Sequence, residues 1–406
     1  MSCVMSGAIQ LQRREFMRVS GHLDHVELSR IRGIGEKIKV LEDQGRDVIR
    51  LHLGEPDFTT PENIIASAKA ALDRGQTHYA PNRGIPALRN AIAEKLQTEN
   101  GIAYDPETEV LVTSGCAEGL YLVFSALLDP GDEVIIVEPA YIAYLQLARI
   151  VGAKSVLVHA GESGGWLPDI DDLRKAVTDK TKLLILNSPC NPTGAVYPRE
   201  LIEQIAQLAI EKDFLVLSDE VYEKLLYDGA EHVSIGSING MRERTLTING
   251  FSKAYAMTGW RLAYIAAPKE FILPMVKIHQ YSMSSSNIIA EYAGVEALKN
   301  GAEACARMLA QYSQRRRLLL DAFERLGIPC AAPKGTFYIY PNVVRGGLGG
   351  REFAERLLAD AGVAAVPGTA FDSFYDTNIR ISYASSMENL REFIARLEDM
   401  LTRLIK

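Results

Sequence analysis

The sequence predicts an α/β fold in which a mainly parallel seven-stranded sheet is flanked by helices and joined to a smaller α/β unit. Three observations predict it. Seven runs of aliphatic and β-branched residues, at 109–113, 133–138, 154–158, 183–187, 214–218, 245–249 and 262–266, are apolar nearly throughout, as strands buried on both faces are. Helical patterns at 61–74, 84–99, 116–128, 140–151 and 198–212 fall between them, and strands alternating with helices favour parallel pairing. Finally, 406 residues suffice for more than one hydrophobic core.

In chain order, 29–44 reads as an amphipathic helix stopped by Gly45, followed by a strand at 48–53. The strand–helix alternation begins at Pro61. After the seventh strand a long helical region runs from 288 to 326. Short strands at 337–340, 363–366 and 378–383 then alternate with helices at 351–361 and 387–404, the pattern of the smaller unit. The first 20 residues carry Arg13, Arg14, Glu15 and Arg18 and no long apolar run. They do not fit a secretory signal and are expected to form a frayed extension, with Met17 as an alternative start.

Composition narrows the function classes. At 47% hydrophobic and 23% charged residues the chain falls among ordinary globular proteins. A formal charge of −7 argues against a nucleic-acid partner. The basic run Arg315-Arg316-Arg317 is expected on a solvated helix face. Five cysteines are too few and too odd a set for a disulfide framework, so a reducing cytoplasm is the expected setting. No stretch reaches the ~18 apolar residues of a membrane span. The seven histidines lack metal-ligand spacing, so no metal site is expected. Gly33-Ile34-Gly35 sits in a helical pattern, follows no strand and lacks a third glycine, so it is not a dinucleotide loop.

The chemistry centres on Lys253, in Gly250-Phe251-Ser252-Lys253-Ala254-Tyr255-Ala256-Met257-Thr258-Gly259-Trp260-Arg261. Its neighbours are small or apolar, and an arginine follows eight residues on. Desolvation and a nearby cation disfavour the ammonium form, and a lysine so tuned can attack an aldehyde to form a Schiff base. A lone lysine more often snorkels from a buried turn, so three further stretches matter. The run 183–186 ends in Asn187-Ser188-Pro189-Cys190-Asn191-Pro192-Thr193-Gly194, a dense turn cluster. The run 214–218 leads into Asp219-Glu220-Val221-Tyr222, and Asn378-Ile379-Arg380-Ile381-Ser382-Tyr383-Ala384 places an arginine in an alternating strand. Ligands of open α/β sheets bind beyond the carboxyl ends of the strands, so Asn191, Asp219 and Lys253 should face one crevice. The set suits a pyridine-ring aldehyde phosphate.

With these residues in view, the chain resembles the class I/II aminotransferases, pyridoxal-phosphate enzymes of fold type I, over residues 25 to 404. Gly54-Glu55-Pro56-Asp57-Phe58 and the segment 256–261 are similar, more narrowly, to the prokaryotic subgroup of thermophilic aspartate and archaeal aromatic aminotransferases. The resemblance implies an N-terminal arm with part of the small domain at 1–58, a large cofactor-binding domain at 59–295 and a small domain at 296–406, so that the small domain is discontinuous. It implies pyridoxal 5'-phosphate as cofactor, amino-acid and 2-oxo-acid substrates, and a homodimer with shared active sites. Lys253 would carry the Schiff base and shuttle the proton, and Asp219 would hold the ring nitrogen protonated. Tyr222 and Asn191 would donate to the ring hydroxylate, and Tyr141 would stack on the ring. Gly115 and Cys116, in Thr113-Ser114-Gly115-Cys116-Ala117, would cradle the phosphate with Ser252 and Arg261. Gly250 stands where the family often has serine. Tyr79 matches a tyrosine that reaches the neighbouring subunit's phosphate. Arg380, assisted by Gly54 and Asn191, would take the substrate carboxylate.

Members of the subgroup that use dicarboxylates place a lysine two residues after the phosphate-loop glycine and a threonine in the N-terminal helix. This chain has Ala117 and Ile31 there. An unpaired buried charge is costly, so an aromatic or broad neutral amino acid is the expected donor, with a 2-oxo acid such as 2-oxoglutarate as acceptor. Rival readings are a β-lyase, a synthase or an oxidase on the same scaffold, an aspartate-type transaminase, and a non-catalytic sensor that kept the fold.

Overall fold

The computed structural model describes residues 21–28 and 30–404, with the side chains at 22 and 30–32 outside the description. The expected N-terminal extension therefore lies outside the described residues. Helix α1 (Arg30–Asp43) and strand β1 (Ile49–Arg50) lead into α2 (Glu62–Asp73) and α3 (Pro86–Glu99). The core alternation runs β2 (Val110–Thr113), α4 (Cys116–Leu127), β3 (Glu133–Glu138), α5 (Ala143–Val151), β4 (Lys154–His159), α6 (Ile170–Ala176), β5 (Thr181–Asn187), α7 (Arg199–Lys212), β6 (Leu215–Asp219), β7 (Thr245–Gly250) and β8 (Ala263–Ala266). Helices α8 (Lys269–Ser282), α9 (Ile288–Asn300) and α10 (Ala302–Arg325) follow. The chain closes with β9 (Tyr338–Ile339), α11 (Gly350–Ala361), β10 (Val363–Ala364), β11 (Val366–Pro367), β12 (Ile379–Ser382) and α12 (Met387–Leu404).

Seven strands form one sheet in the order β2-β8-β7-β6-β5-β3-β4. The expected parallel character holds for β3 to β7, while β8 runs antiparallel to both β7 and β2. The connection from β7 to β8 explains the reversal. It is a loop with a single 3-10 turn at Thr258–Trp260 and no α-helix, and an antiparallel neighbour needs no crossover helix. The loop therefore leaves and re-enters the sheet at one edge, carrying Lys253 and Arg261 together. Gly250 pairs with Ala263, and Ala263 with Thr113, so the carboxyl end of β2 lies at that edge as well. Asn187 pairs with Asp219 in the same layer.

The remaining strands join the two ends of the chain. β1 pairs in parallel with β10, and β11, β12 and β9 form an antiparallel sheet. The Leu51 amide donates to Ala364, and Ser382 donates to Leu51. Leu51, Tyr312, Phe337, Phe353 and Phe393 share one core there.

Several elements depart from the sequence reading. The helical region at 288–326 is two helices parted at Gly301, where a side chain would collide with Tyr255 and the Ala297 carbonyl. Helix α8 was not anticipated, since Pro274 interrupts its pattern, and α6 is too short to show a period. The basic run also differs. Arg315 and Arg316 are 4% and 2% exposed rather than solvated, and Arg317 alone faces solvent. Arg315 pairs with Asp57 and lies over Phe58, while Arg316 pairs with Asp228 and lies over Tyr227. Buried arginines persist where a carboxylate and an aromatic face both receive the guanidinium.

Candidate active site

The sheet edge assembles what the sequence placed at strand ends. Lys253 Nζ donates to the Gly54 carbonyl at 2.6 Å and lies 5.9 Å from the ring centroids of Tyr222 and Phe337. Asp219 ends β6 and is 4% exposed. Its carboxylate accepts from Tyr144 Oη at 2.7 Å and from the Val221 amide at 3.3 Å. Burial pushes the Asp219 carboxyl above the usual carboxylate range, and those two hydrogen bonds work against the push. Among the described residues, no cation hydrogen-bonds to the Asp219 carboxylate, an arrangement that suits a positively charged ligand group.

Asn187 binds two strand ends together. Its amide nitrogen donates to the Asp219 carbonyl, and its oxygen accepts the Asn191 amide. Asn191 Oδ1 in turn accepts from Arg380 Nη1 at 2.9 Å, while Arg380 Nη2 donates to the His52 carbonyl at 2.9 Å. The guanidinium is 2% exposed and lies between the Tyr338 and Phe371 rings, 4.3 and 4.7 Å from their centroids. Its Nε is buried without a partner. A fixed planar fork with an unmet donor suits a carboxylate. Burial and the neighbouring arginines hold His52 down to about 4, so no second cation competes there.

Residues 114–116 form a cup at the N-terminus of α4. Gly115 caps α4 with φ of 81°, and a Cβ there would collide with Arg261 Nη2. Arg261 itself adopts a left-handed φ of 56° and donates to the Thr258 carbonyl at 3.1 Å. Its guanidinium therefore lies across the first turn of a 12-residue helix, whose amide groups and dipole favour an anion. Ser252 is buried between Phe251 and Lys253. Burial pushes the Cys116 thiol up to about 12, so it packs as a neutral wall of the cup.

Tyr141 lies in the turn before α5, edge-on to Tyr144 at 5.6 Å. Ala117 is exposed in the first turn of α4, and the side chain of Ile31 lies outside the described residues. Tyr79 is 87% exposed, and no hydrogen bond among the described residues ties it to the crevice.

Sequence reasoning missed Tyr144 and Tyr338, whose partners lie far off in the chain, and the role of Asn187, which ties the local turn at Asn191 to the end of β6. It also missed Glu220, Glu223 and His232, whose donor atoms converge closely enough for a metal ion. Lys95 and Asn100 already engage Glu223, and Asn100 and Ser234 bind Glu220. The cluster is thus a closed network behind Asp219.

Comparison with known proteins identifies the family. Residues 46–397 match the family described as aminotransferase class I and II. The chain is 44% identical to a Pyrococcus abyssi aspartate aminotransferase over 95% of its own length and 98% of the relative's. It is 41% identical to aromatic-amino-acid aminotransferase 2 of Thermococcus litoralis, with the same coverage. Its fold superposes on Thermus thermophilus aspartate aminotransferase with maleate at a TM-score of 0.90 and 44% identity, over 94% of this chain and 99% of that one.

Proposed function

This chain belongs to the class I and II aminotransferases, pyridoxal-phosphate enzymes that transfer amino groups, and from that premise we propose how its residues divide the work and which donor it prefers. The observation that carries the reading is the convergence of Lys253, Asp219 and Arg380 on one edge of the sheet. The residues fit the cofactor on three counts: a glycine cup under an arginine, a buried carboxylate with no cation hydrogen-bonded to it among the described residues, and a lysine whose hydrogen bond among those residues goes to a carbonyl.

When bound, pyridoxal phosphate supplies an aldehyde that captures the amino group and a ring that accepts the electron pair left on the substrate α-carbon. Gly115, Ser252 and Arg261 would hold its phosphate, and Tyr141 would cover its ring. Asp219 would keep a proton on the ring nitrogen, with Tyr144 fixing the carboxylate. Tyr222 and Asn191 would direct donors at the ring oxygen. Arg380 would fix the substrate carboxylate and so aim the α-hydrogen. Lys253 Nζ would take that proton and hand it on to the cofactor's C4′.

The preferred donor is an aromatic or other neutral amino acid, supported by Ala117 at the mouth of the phosphate cup, where dicarboxylate users carry lysine. Phenylalanine, leucine and alanine should therefore show higher kcat/KM than aspartate with 2-oxoglutarate as acceptor. Ala117→Lys combined with Ile31→Thr should raise aspartate use and lower phenylalanine use, each by about tenfold, the scale of one pocket contact. Preference of the parent enzyme for aspartate would refute the pocket reading.

We also infer a cytoplasmic homodimer. Cys116, Cys190, Cys305 and Cys330 are free thiols, as a reducing compartment allows. Exposed Tyr79 and Tyr281 stand on neighbouring segments, since Asn82 Nδ2 donates to the Ser284 carbonyl at 2.7 Å. A second copy would cover this aromatic surface. Sedimentation equilibrium should give twice the chain mass, and Tyr281→Asp should weaken that association; a monomeric, fully active parent would overturn it.

A further inference from the structure

Tyr338 enters the crevice from β9 and touches three of the residues discussed above. On β12, Ser382 is its direct pair, so Arg380, two residues away, is its diagonal neighbour on the same face. That register puts the Arg380 guanidinium 4.3 Å from the Tyr338 centroid. The Tyr338 hydroxyl lies 2.9 Å from the Tyr222 hydroxyl. It also faces Gly54, where a Cβ would come within 2.6 Å of Tyr338 Oη. Gly54 is the residue whose carbonyl receives Lys253. Both tyrosines are buried.

A hydroxyl carries one proton. If Tyr222 donated that proton to Tyr338, it would have none left for a ligand oxygen. We propose that Tyr338 is a positioning residue for amino transfer: its hydroxyl donates to Tyr222 Oη, which leaves the single Tyr222 proton free to point at the cofactor's ring oxygen. Donation into Tyr222 polarises its own O–H, so the second hydrogen bond is strengthened by the first. The charged groups facing the pair are Arg380 from β12, Asp219 from β6 and Lys253 from the loop after β7. Stacking beneath Arg380 is a separate role of the same ring, which phenylalanine would preserve.

The proposal rests on the reading of Tyr222 as the donor to the ring oxygen, and the test separates the two. A donor at that oxygen stabilises its negative charge, and that charge helps hold the neighbouring imine proton. Losing the donor should therefore raise the pKa of the holoenzyme's visible absorbance. Titrating that absorbance, Tyr338→Phe should shift the midpoint upward by roughly 0.2–0.6 pH unit, the scale of a cooperative contribution to one hydrogen bond. Tyr222→Phe should shift it further, and Tyr338→Phe added to Tyr222→Phe should shift it no more. With a neutral donor, Tyr338→Phe should lower kcat and leave KM nearly unchanged, because Arg380 keeps its aromatic platform. An unmoved midpoint in Tyr338→Phe alongside a moved one in Tyr222→Phe would overturn the proposal. An unmoved midpoint in Tyr222→Phe would instead remove the reading beneath it.

Discussion

Replacing Lys253 with alanine is expected to abolish amino transfer and the Schiff-base absorbance of the loaded protein together. Loss of the proton-carrying role alone predicts a fall in kcat of roughly 10²–10⁴-fold, and loss of the covalent anchor adds to it. The structure gives the reason that no neighbour substitutes. Within the crevice, Arg261 donates to the Thr258 carbonyl, and Arg380 to Asn191 and His52. Borohydride reduction followed by peptide mapping is the direct measurement. A reduced cofactor still attached to the chain in Lys253→Ala would place the nucleophile elsewhere. The variant should remain folded, since Lys253 Nζ makes a single hydrogen bond, to the Gly54 carbonyl.

Asp219→Asn should separate stability from activity. An amide cannot hold the ring proton by charge, so turnover should fall by roughly 10²–10³-fold, the cost of losing one preorganised electrostatic partner. Stability should move the other way in the empty protein. The folded carboxyl is raised above its unfolded value near 3.8. Its cost to folding is absent below that value, appears as pH rises through it, and is fully present once pH exceeds the folded pKa. Asparagine removes that cost while still accepting the Tyr144 hydroxyl. Cofactor-free Asp219→Asn should therefore melt higher than the cofactor-free parent at neutral pH, and loading should stabilise the parent more than the variant. Calorimetry of both forms checks this, and equal turnover in parent and variant would end the electron-sink assignment.

How much of this was legible in the sequence follows from what each residue depends on. Strands β5, β6 and β7 show as runs of aliphatic and β-branched residues, and polar residues within a few positions of the carboxyl end of such a run lie near the sheet edge. The positions of Asn191, Asp219 and Lys253 were therefore readable. Tyr144 and Tyr338 were not, because their meaning lies in contacts 75 and 116 residues away, with Asp219 and Tyr222. No local pattern distinguishes them from core tyrosines. Arg315 and Arg316 were misread for the same reason. On a helix their charge suggests water, yet Asp57 and Asp228 from distant loops receive them. The reversal of β8 was hidden because strand composition records burial and carries no direction.

The pairing of β1 with β10 also sets an order of events in time. Ile49 meets Val363, and at roughly 5–20 residues per second the interval between their syntheses lasts on the order of 15–60 s. During that interval β2 to β8 have every partner they need and can close their sheet. The segment leading to Gly54 cannot settle, because the strand that anchors it does not yet exist. Arg380, which holds the His52 carbonyl, arrives later still. A nascent chain would thus pass through a stage with Asp219 and Lys253 already on a finished sheet but the carbonyl that steadies the lysine still loose, so chemical competence would be the last property acquired.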